Sequence, residues 1–170
     1  FEGCDEKDVS VSAIICQEHH AFGDAWADLQ HRSRNAGWAL QGAPAAPAVK
    51  ADNGRGSAGV CVVAAGRIGL GKASGMQHDL SPAGSEGRLA AVWLDGVRRG
   101  GLMVFSIYLW HTEGFTERNV GLLHAVGEAV ARHGGPWLLA GDFNMPPEEF
   151  RRAQDWLDRV GGEVVAPTDI

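Results

Sequence analysis

Trp137-Leu138-Leu139-Ala140-Gly141-Asp142-Phe143-Asn144 is the stretch on which the reading of this chain turns. A short apolar run leads into a glycine and then two polar side chains two positions apart. If the extended backbone continues, Asp142 and Asn144 emerge on one face and can reach one phosphate or one metal ion. A carboxylate at the end of an apolar run is costly unless something binds it. Pro147 then opens a helix whose stripe is Phe150, Ala153, Leu157 and Val160, closed by Gly161-Gly162.

Upstream, Thr116 can cap a helix that runs to His133, with Val120, Leu123, Gly127 and Val130 as its stripe and Gly134-Gly135-Pro136 as its stop. Leu102 to Trp110 is the clearest strand. Period two puts Val104, Ser106, Tyr108 and Trp110 on one face and Met103, Phe105, Ile107 and Leu109 on the other. Gly96 to Gly101 turns the chain, so the alternating segment Arg88 to Leu94 is predicted to form a hairpin with that strand.

The amino-terminal half is less regular. Val11 to Gln17 reads as a buried strand that delivers Glu18-His19-His20 at its carboxyl end, where α/β folds tend to place ligands. Ala25 to Arg34 reads as a helix with Asp24 as N-cap and Gly37 as its stop. A strand at Trp38-Leu40, a loop from Gln41 to Gly59, a strand from Val60 to Ala64 and a weak strand near Ile68-Gly69-Leu70 come next. Val164-Val165-Ala166 looks like a strand entering a Pro-Thr-Asp loop, and with Phe1 at the other end both termini look cut. The expectation is a single α/β domain, residues 1–170, with part of its fold outside the sequence.

Composition narrows the class. The 170 residues, 45% of them hydrophobic, are enough for one core. No run approaches the roughly 20 apolar residues of a membrane span. A net charge of −6 argues against a broad basic surface that grips nucleic acid non-specifically, while leaving room for a local basic track. The cysteines, Cys4, Cys16 and Cys61, are odd in number, and two sit in apolar runs as small hydrophobes, which favours an intracellular, reducing setting over a disulfide framework.

Three strand ends therefore deliver polar groups: Gln17-Glu18, Tyr108, and Asp142 with Asn144. Mg²⁺ wants oxygen ligands and keeps several waters, so one or two carboxylates from different strands, Glu18 and Asp142, can hold it against a substrate phosphate. The ion, with Mn²⁺ as the alternative, would polarise a phosphoryl oxygen while a carboxylate orients the attacking water. Bland readings stand beside these. Glu18 fits an ordinary strand-end carboxylate, Asp142 and Asn144 an Asx turn into the next helix, and Tyr108 half-buried packing. His19 and His20 point oppositely on an extended chain and lack further ligands at zinc spacing. Arg88 can hold a phosphate with its fork or form a surface ion pair.

Ile14-Ile15-Cys16-Gln17-Glu18-His19-His20, Phe105-Ser106-Ile107-Tyr108-Leu109 and Gly141-Asp142-Phe143-Asn144 together resemble the endonuclease/exonuclease/phosphatase superfamily, over nearly the whole chain. The resemblance implies a two-sheet α/β sandwich with outer helices. It makes Glu18 a metal ligand, Asp142 a metal ligand and the water-activating carboxylate, Tyr108 a hydrogen bonder to phosphate and Asn144 a phosphate-orienting amide. The family's first strand, ending in Asn, and its final Ser-Asp-His motif have no counterpart in the sequence, and Leu109-Trp110-His111 stands where a Pro-Asn pair often comes after the Tyr. The expected activity is Mg²⁺-dependent phosphodiester hydrolysis on nucleic acid, of the abasic-site or retroelement type, by a monomer. The alternatives are a phosphomonoesterase for a small or lipid phosphate and a non-catalytic remnant of the fold.

Overall fold

A computed structural model describes residues 11–47, 56–71 and 76–165. In chain order the elements are β1 (Ala13–Cys16), α1 (Gly23–Asn35), β2 (Trp38–Ala43), β3 (Ala46–Pro47), β4 (Gly56–Ser57), β5 (Val60–Ala65), β6 (Leu70–Gly71), β7 (Leu89–Leu94), β8 (Leu102–Tyr108), α2 (Glu117–His133), β9 (Trp137–Asp142), α3 (Pro147–Phe150) and α4 (Gln154–Val160), with a 3₁₀ turn at Arg151–Ala153 between the last two. Among the described residues, β1-β5-β2 make one sheet, β6-β7-β8-β9 a second, and β3-β4 a small ribbon.

The alternation of β8 builds the centre. Val104 packs with Val62 and Ala64 of β5 and Val92 of β7, so this face of the second sheet meets the first sheet. Met103, Phe105, Ile107 and Leu109 point the other way, into a core shared with Leu122 and Val126 of α2 and Trp156 and Leu157 of α4. The protein is thus a mixed α/β sandwich of two sheets, with α2 and α4 outside the second. Full burial of each of those four β8-side residues stabilises by roughly 1.5–3 kcal/mol.

Strand pairing agrees with the sequence expectation for β7 and β8, which form the antiparallel pair Leu89↔Ile107 to Leu94↔Leu102. β9 joins the other edge of β8 in parallel, from Met103↔Trp137 to Tyr108↔Asp142. Parallel neighbours need a long crossover, and α2 supplies it. Its end matches expectation, since Gly134 is left-handed at φ 67° and its N–H bonds to the Val130 carbonyl. Its start differs in detail. Thr116 has the extended backbone of an N-cap, but its hydroxyl donates to Glu113 at 3.0 Å rather than capping the helix.

Several other expectations are corrected. The helix from Pro147 is broken by the 3₁₀ turn, whose tighter winding rotates α4 relative to α3 and brings Trp156 onto the core beside Leu157. The indole of Trp156 donates to the Leu123 carbonyl at 3.1 Å, and Gly127 leaves room for it, because a Cβ there would lie 3.3 Å from the indole nitrogen. The buried face of α2 also includes Asn119, Leu122, Val126 and Ala129 beyond the predicted stripe. The N-cap of α1 is Phe22, with Asp24 inside the first turn, where its charge suits the positive end of the helix.

The segment read as a loop from Gln41 carries β2 on to Ala43, then β3 and β4. Its small residues hid this from the pattern: a Cβ on Gly42 would fall 2.3 Å from the Val60 carbonyl oxygen. β6 begins at Leu70, later than its weak signal. Val164 and Val165 form no strand, and Val165 is 83% exposed. Cys4, Ala166 and the Pro-Thr-Asp loop lie outside the described residues, as does the whole stretch between β3 and β4.

Gly141 has no room for a side chain, since a Cβ built on it would stand 1.9 Å from the Ile107 carbonyl oxygen across the β8–β9 pair. Gly141→Ala is therefore expected to lower stability by roughly 1–3 kcal/mol, read as an earlier urea midpoint. Gly121→Ala, on α2 with nothing within 4 Å of the added carbon, should raise the midpoint through about 0.5–1 kcal/mol of helix propensity.

Candidate active site

Tyr108 and Asp142 end β8 and β9 side by side as register partners, and neighbours in register share a face of the sheet. The ladder closes beyond them with the Leu109 N–H on the Asp142 carbonyl at 2.9 Å. Tyr108 packs toward the first sheet, against Ala43, Val60 and Ala90. From that sheet Glu18 arrives at the end of β1, and the Tyr108 hydroxyl donates to its carboxylate. Three of the four residues singled out in the sequence, Glu18, Tyr108 and Asp142, thus meet where both sheets end. Burial first, and then the Glu18 carboxylate, push the Tyr108 phenol above its ordinary value, so it stays a proton-bearing donor at neutral pH.

The fourth residue sits on a turn. The Asn144 backbone N–H donates to Asp142 Oδ1 at 2.9 Å, which is the Asx turn that such a pair readily forms. It leaves Asp142 Oδ2 for other partners. Asn144 Nδ2 donates to the Leu109 carbonyl at 2.7 Å and its Oδ1 lies 3.0 Å from His111 Nδ1. One amide hydrogen of Asn144 therefore ties this turn to the end of β8, and the other is not spent on that bond. Glu18 and Asn144 both hold left-handed backbone, at φ 54° and 50°, a conformation that costs most side chains about 1–3 kcal/mol and clusters at functional sites.

Ser106 joins the two halves of the site. It is fully buried; its hydroxyl accepts from Gln17 Nε2 at 3.1 Å and donates to the Cys16 carbonyl at 3.1 Å. The residues that lead into Glu18 are thereby pinned to the strand that carries Tyr108. Sequence reasoning placed Ser106 on the correct face but gave it no role, although a hydroxyl amid valines was the available signal. Trp110, expected on the Tyr108 face, packs against the helix-side core, because the strand ends at Tyr108 and period two ends with it. Asn119, also missed, is buried and bonds both the N–H and the carbonyl of Trp110.

The neighbouring histidines hold the loop. His19 stacks on Trp26 at 4.8 Å, its Nδ1 accepts from the Ala21 N–H, and its Nε2 lies 3.2 Å from the Ala43 carbonyl. That pattern fixes a neutral ring with the proton on Nε2. His20 Nδ1 lies 3.0 Å from the Gly56 carbonyl. Among the described residues no cluster of three or more His, Cys, Asp or Glu side chains is placed to hold a metal ion. Glu18 and Asp142, both exposed, are a two-carboxylate oxygen set, which suits an ion that keeps most of its waters. An apolar cavity of about 1120 Å³ lies on the helix side of β9, between it and α4. It is lined by Gly141 and Phe143 but by none of Glu18, Tyr108 and Asp142.

No protein-family model matches the chain, and no curated protein matches it in sequence. A solved structure of the human Nocturnin catalytic domain, determined with a bound sulfate anion, is similar in fold, with a TM-score of 0.59 at 17% identity. The likeness covers 86% of this chain and 57% of that one, so the chain spans little more than half of the neighbour's length. What the two share is the fold, a two-sheet α/β sandwich with outer helices. No helix among the described residues is long and apolar enough to cross a membrane.

Burial holds the His19 imidazole below its ordinary value of 6.5. The unfolded chain takes up this proton more readily than the folded one, so stability present above pH 6.5 is lost as pH falls below it. Thermal melts at pH 7.5 and pH 5 should show the drop, and His19→Gln should flatten that pH dependence.

Proposed function

We propose that this chain carries catalytic groups of a divalent-metal-dependent phosphodiesterase whose substrate is nucleic acid, cleaved internally. The observation that carries the reading is the meeting of Glu18, Tyr108 and Asp142 at the ends of three strands drawn from both sheets. Two carboxylates and a protonated phenol in one place suit a phosphoester held with a hard cation, and the bland alternatives do not require all three to converge. The neighbour's bound sulfate, a tetrahedral oxyanion on a catalytic domain of the same fold, supports the choice of phosphoester.

In this reading Glu18 and Asp142 hold Mg²⁺ or Mn²⁺, which when bound supplies positive charge to a phosphoryl oxygen. Asp142, through the oxygen not used by the Asx turn, orients the attacking water and takes its proton as the water oxygen bonds phosphorus and the bond to the leaving sugar oxygen breaks, that oxygen taking a proton from solvent. With substrate bound, Tyr108 would turn its one O–H from the Glu18 carboxylate to the phosphoryl oxygen on which charge develops. The amide hydrogen of Asn144 not given to the Leu109 carbonyl serves the same phosphoryl group, and His111 fixes the amide's orientation. Ser106 and Gln17 act at one remove, by setting where Glu18 stands.

Nicking of supercoiled DNA in Mg²⁺ tests the proposal, with EDTA as control. Asp142→Ala should lower the rate by about 10²–10⁴-fold, the usual yield of a positioned acid or base. Tyr108→Phe should lower it by roughly 10²-fold, and His124→Ala, on the exposed side of α2, should leave it unchanged. Turnover of inositol phosphates without nicking would move the substrate to small phosphomonoesters. Absence of turnover on either, with the fold intact by circular dichroism, would leave a non-catalytic sandwich.

A further inference from the structure

The indole of Trp110 lies against two guanidinium groups. The central carbon of Arg88 is 4.1 Å from its ring centroid and that of Arg118 is 4.0 Å. Arg88 also lies 4.6 Å from the centroid of the Tyr108 ring. The three residues come from separate places in the fold: the residue ahead of β7, the segment just past β8 and the first turn of α2. The fully buried Asn119 fixes the Trp110 backbone, since its Oδ1 accepts the Trp110 N–H at 2.9 Å and its Nδ2 donates to the carbonyls of Trp110 and Gly114 at 3.3 and 2.7 Å.

The charges around the stack do not balance. Glu113 pairs with Arg118 at 3.1 Å. Arg88, half-buried, gives one N–H to the Tyr108 carbonyl at 3.2 Å, and among the described residues no carboxylate forms an ion pair with it. A guanidinium stacked on an aromatic ring spends its flat face and keeps its in-plane N–H donors, five in all, for an acceptor. The one carboxylate beside the stack, Glu113, pairs with Arg118 and its charge also reaches Arg88, so two guanidinium groups share one anion and a positive charge is left for a further anion with several oxygens.

We infer that Arg88 and Arg118, held in place by Trp110, form a subsite for a backbone phosphate of the nucleic-acid strand, next to the phosphate that is cleaved. The nature of the ligand rests on the phosphodiesterase reading; the subsite itself rests on the stack. Its contact with Tyr108 puts it one side chain from the phenol, and its donors address phosphate rather than base edges, so it fixes register without reading sequence. Trp110 acts as the plate that orients two forks, not as a surface for a base.

The test is binding of a fluorescein-labelled single-stranded oligonucleotide by anisotropy, in EDTA so that nothing is cleaved, across a range of salt. Arg88→Gln and Arg118→Gln should each weaken binding roughly tenfold and lower the slope of log K against log salt by about 0.7. Arg88→Lys should keep the slope and lose part of the affinity, because the fork is gone. Inorganic phosphate should compete in the wild type and not in Arg88→Gln. No binding by the wild type, or unchanged affinity and slope in both Gln variants, would overturn the subsite; Arg118 is exposed, so its variant does not depend on refolding a core. Cleavage in Mg²⁺, run in parallel, separates the two readings. Arginine-dependent binding without cleavage keeps the subsite and sinks the hydrolase, whereas Asp142-dependent cleavage with an unchanged KM in both Gln variants does the reverse.

Discussion

Two strands that lie side by side and run the same way cannot be joined by a tight turn, and the β8–β9 pair imposes that condition on the rest of the molecule. It calls for α2 as the crossover, and α2 in turn covers the helix-side face of β8, where Met103, Phe105 and Ile107 are fully buried. It fixes Tyr108 beside Asp142 by register alone. It also explains the glycine before the aspartate: the two backbones run so close at Ile107 and Gly141 that no side chain fits. The other face of β8 is left for the first sheet, which brings Glu18.

Much of this was legible because it obeys a simple period. The alternation from Leu102 to Tyr108 placed two cores on two faces, and the glycines after His133 stopped α2 where expected. What escaped did so for physical reasons. β2 runs on through Gly42 and Ala43, whose small side chains carry no apolar signal yet are what the close approach to β5 requires. The helix after Pro147 looked continuous because Phe150, Ala153, Leu157 and Val160 fit one stripe. The 3₁₀ turn that breaks it is set by the tertiary seat of Trp156 against α2.

The site residues show the same division. Glu18, Tyr108 and Asp142 could be picked out as polar groups at strand ends, since the carboxyl end of a strand is visible in sequence. That Glu18 reaches Tyr108 from 90 positions away was not. The residues that support them were the hardest to see. Ser106 and Asn119 sit inside apolar faces as isolated polar groups, and only their partners, Gln17 and the Trp110 loop, reveal why they are there. Arg88 and Arg118 lie 30 positions apart and meet only because β7, β8 and α2 converge on one indole.

The Ser106 hydroxyl is a rivet between two sheets, bonded to the residues that lead into Glu18 on one side and rooted in the strand of Tyr108 on the other. Glu18 belongs to one layer of the sandwich, and Tyr108 with Asp142 to the other. The arrangement of carboxylates and phenol therefore exists only while the layers are in register, and it has no local stability apart from theirs. Any motion that lets the sheets slide, before a helix frays or a strand parts, separates the chemical groups first. The site is in effect a strain gauge for the sandwich: the convergence of Glu18, Tyr108 and Asp142 and the interlayer fit are the same physical state.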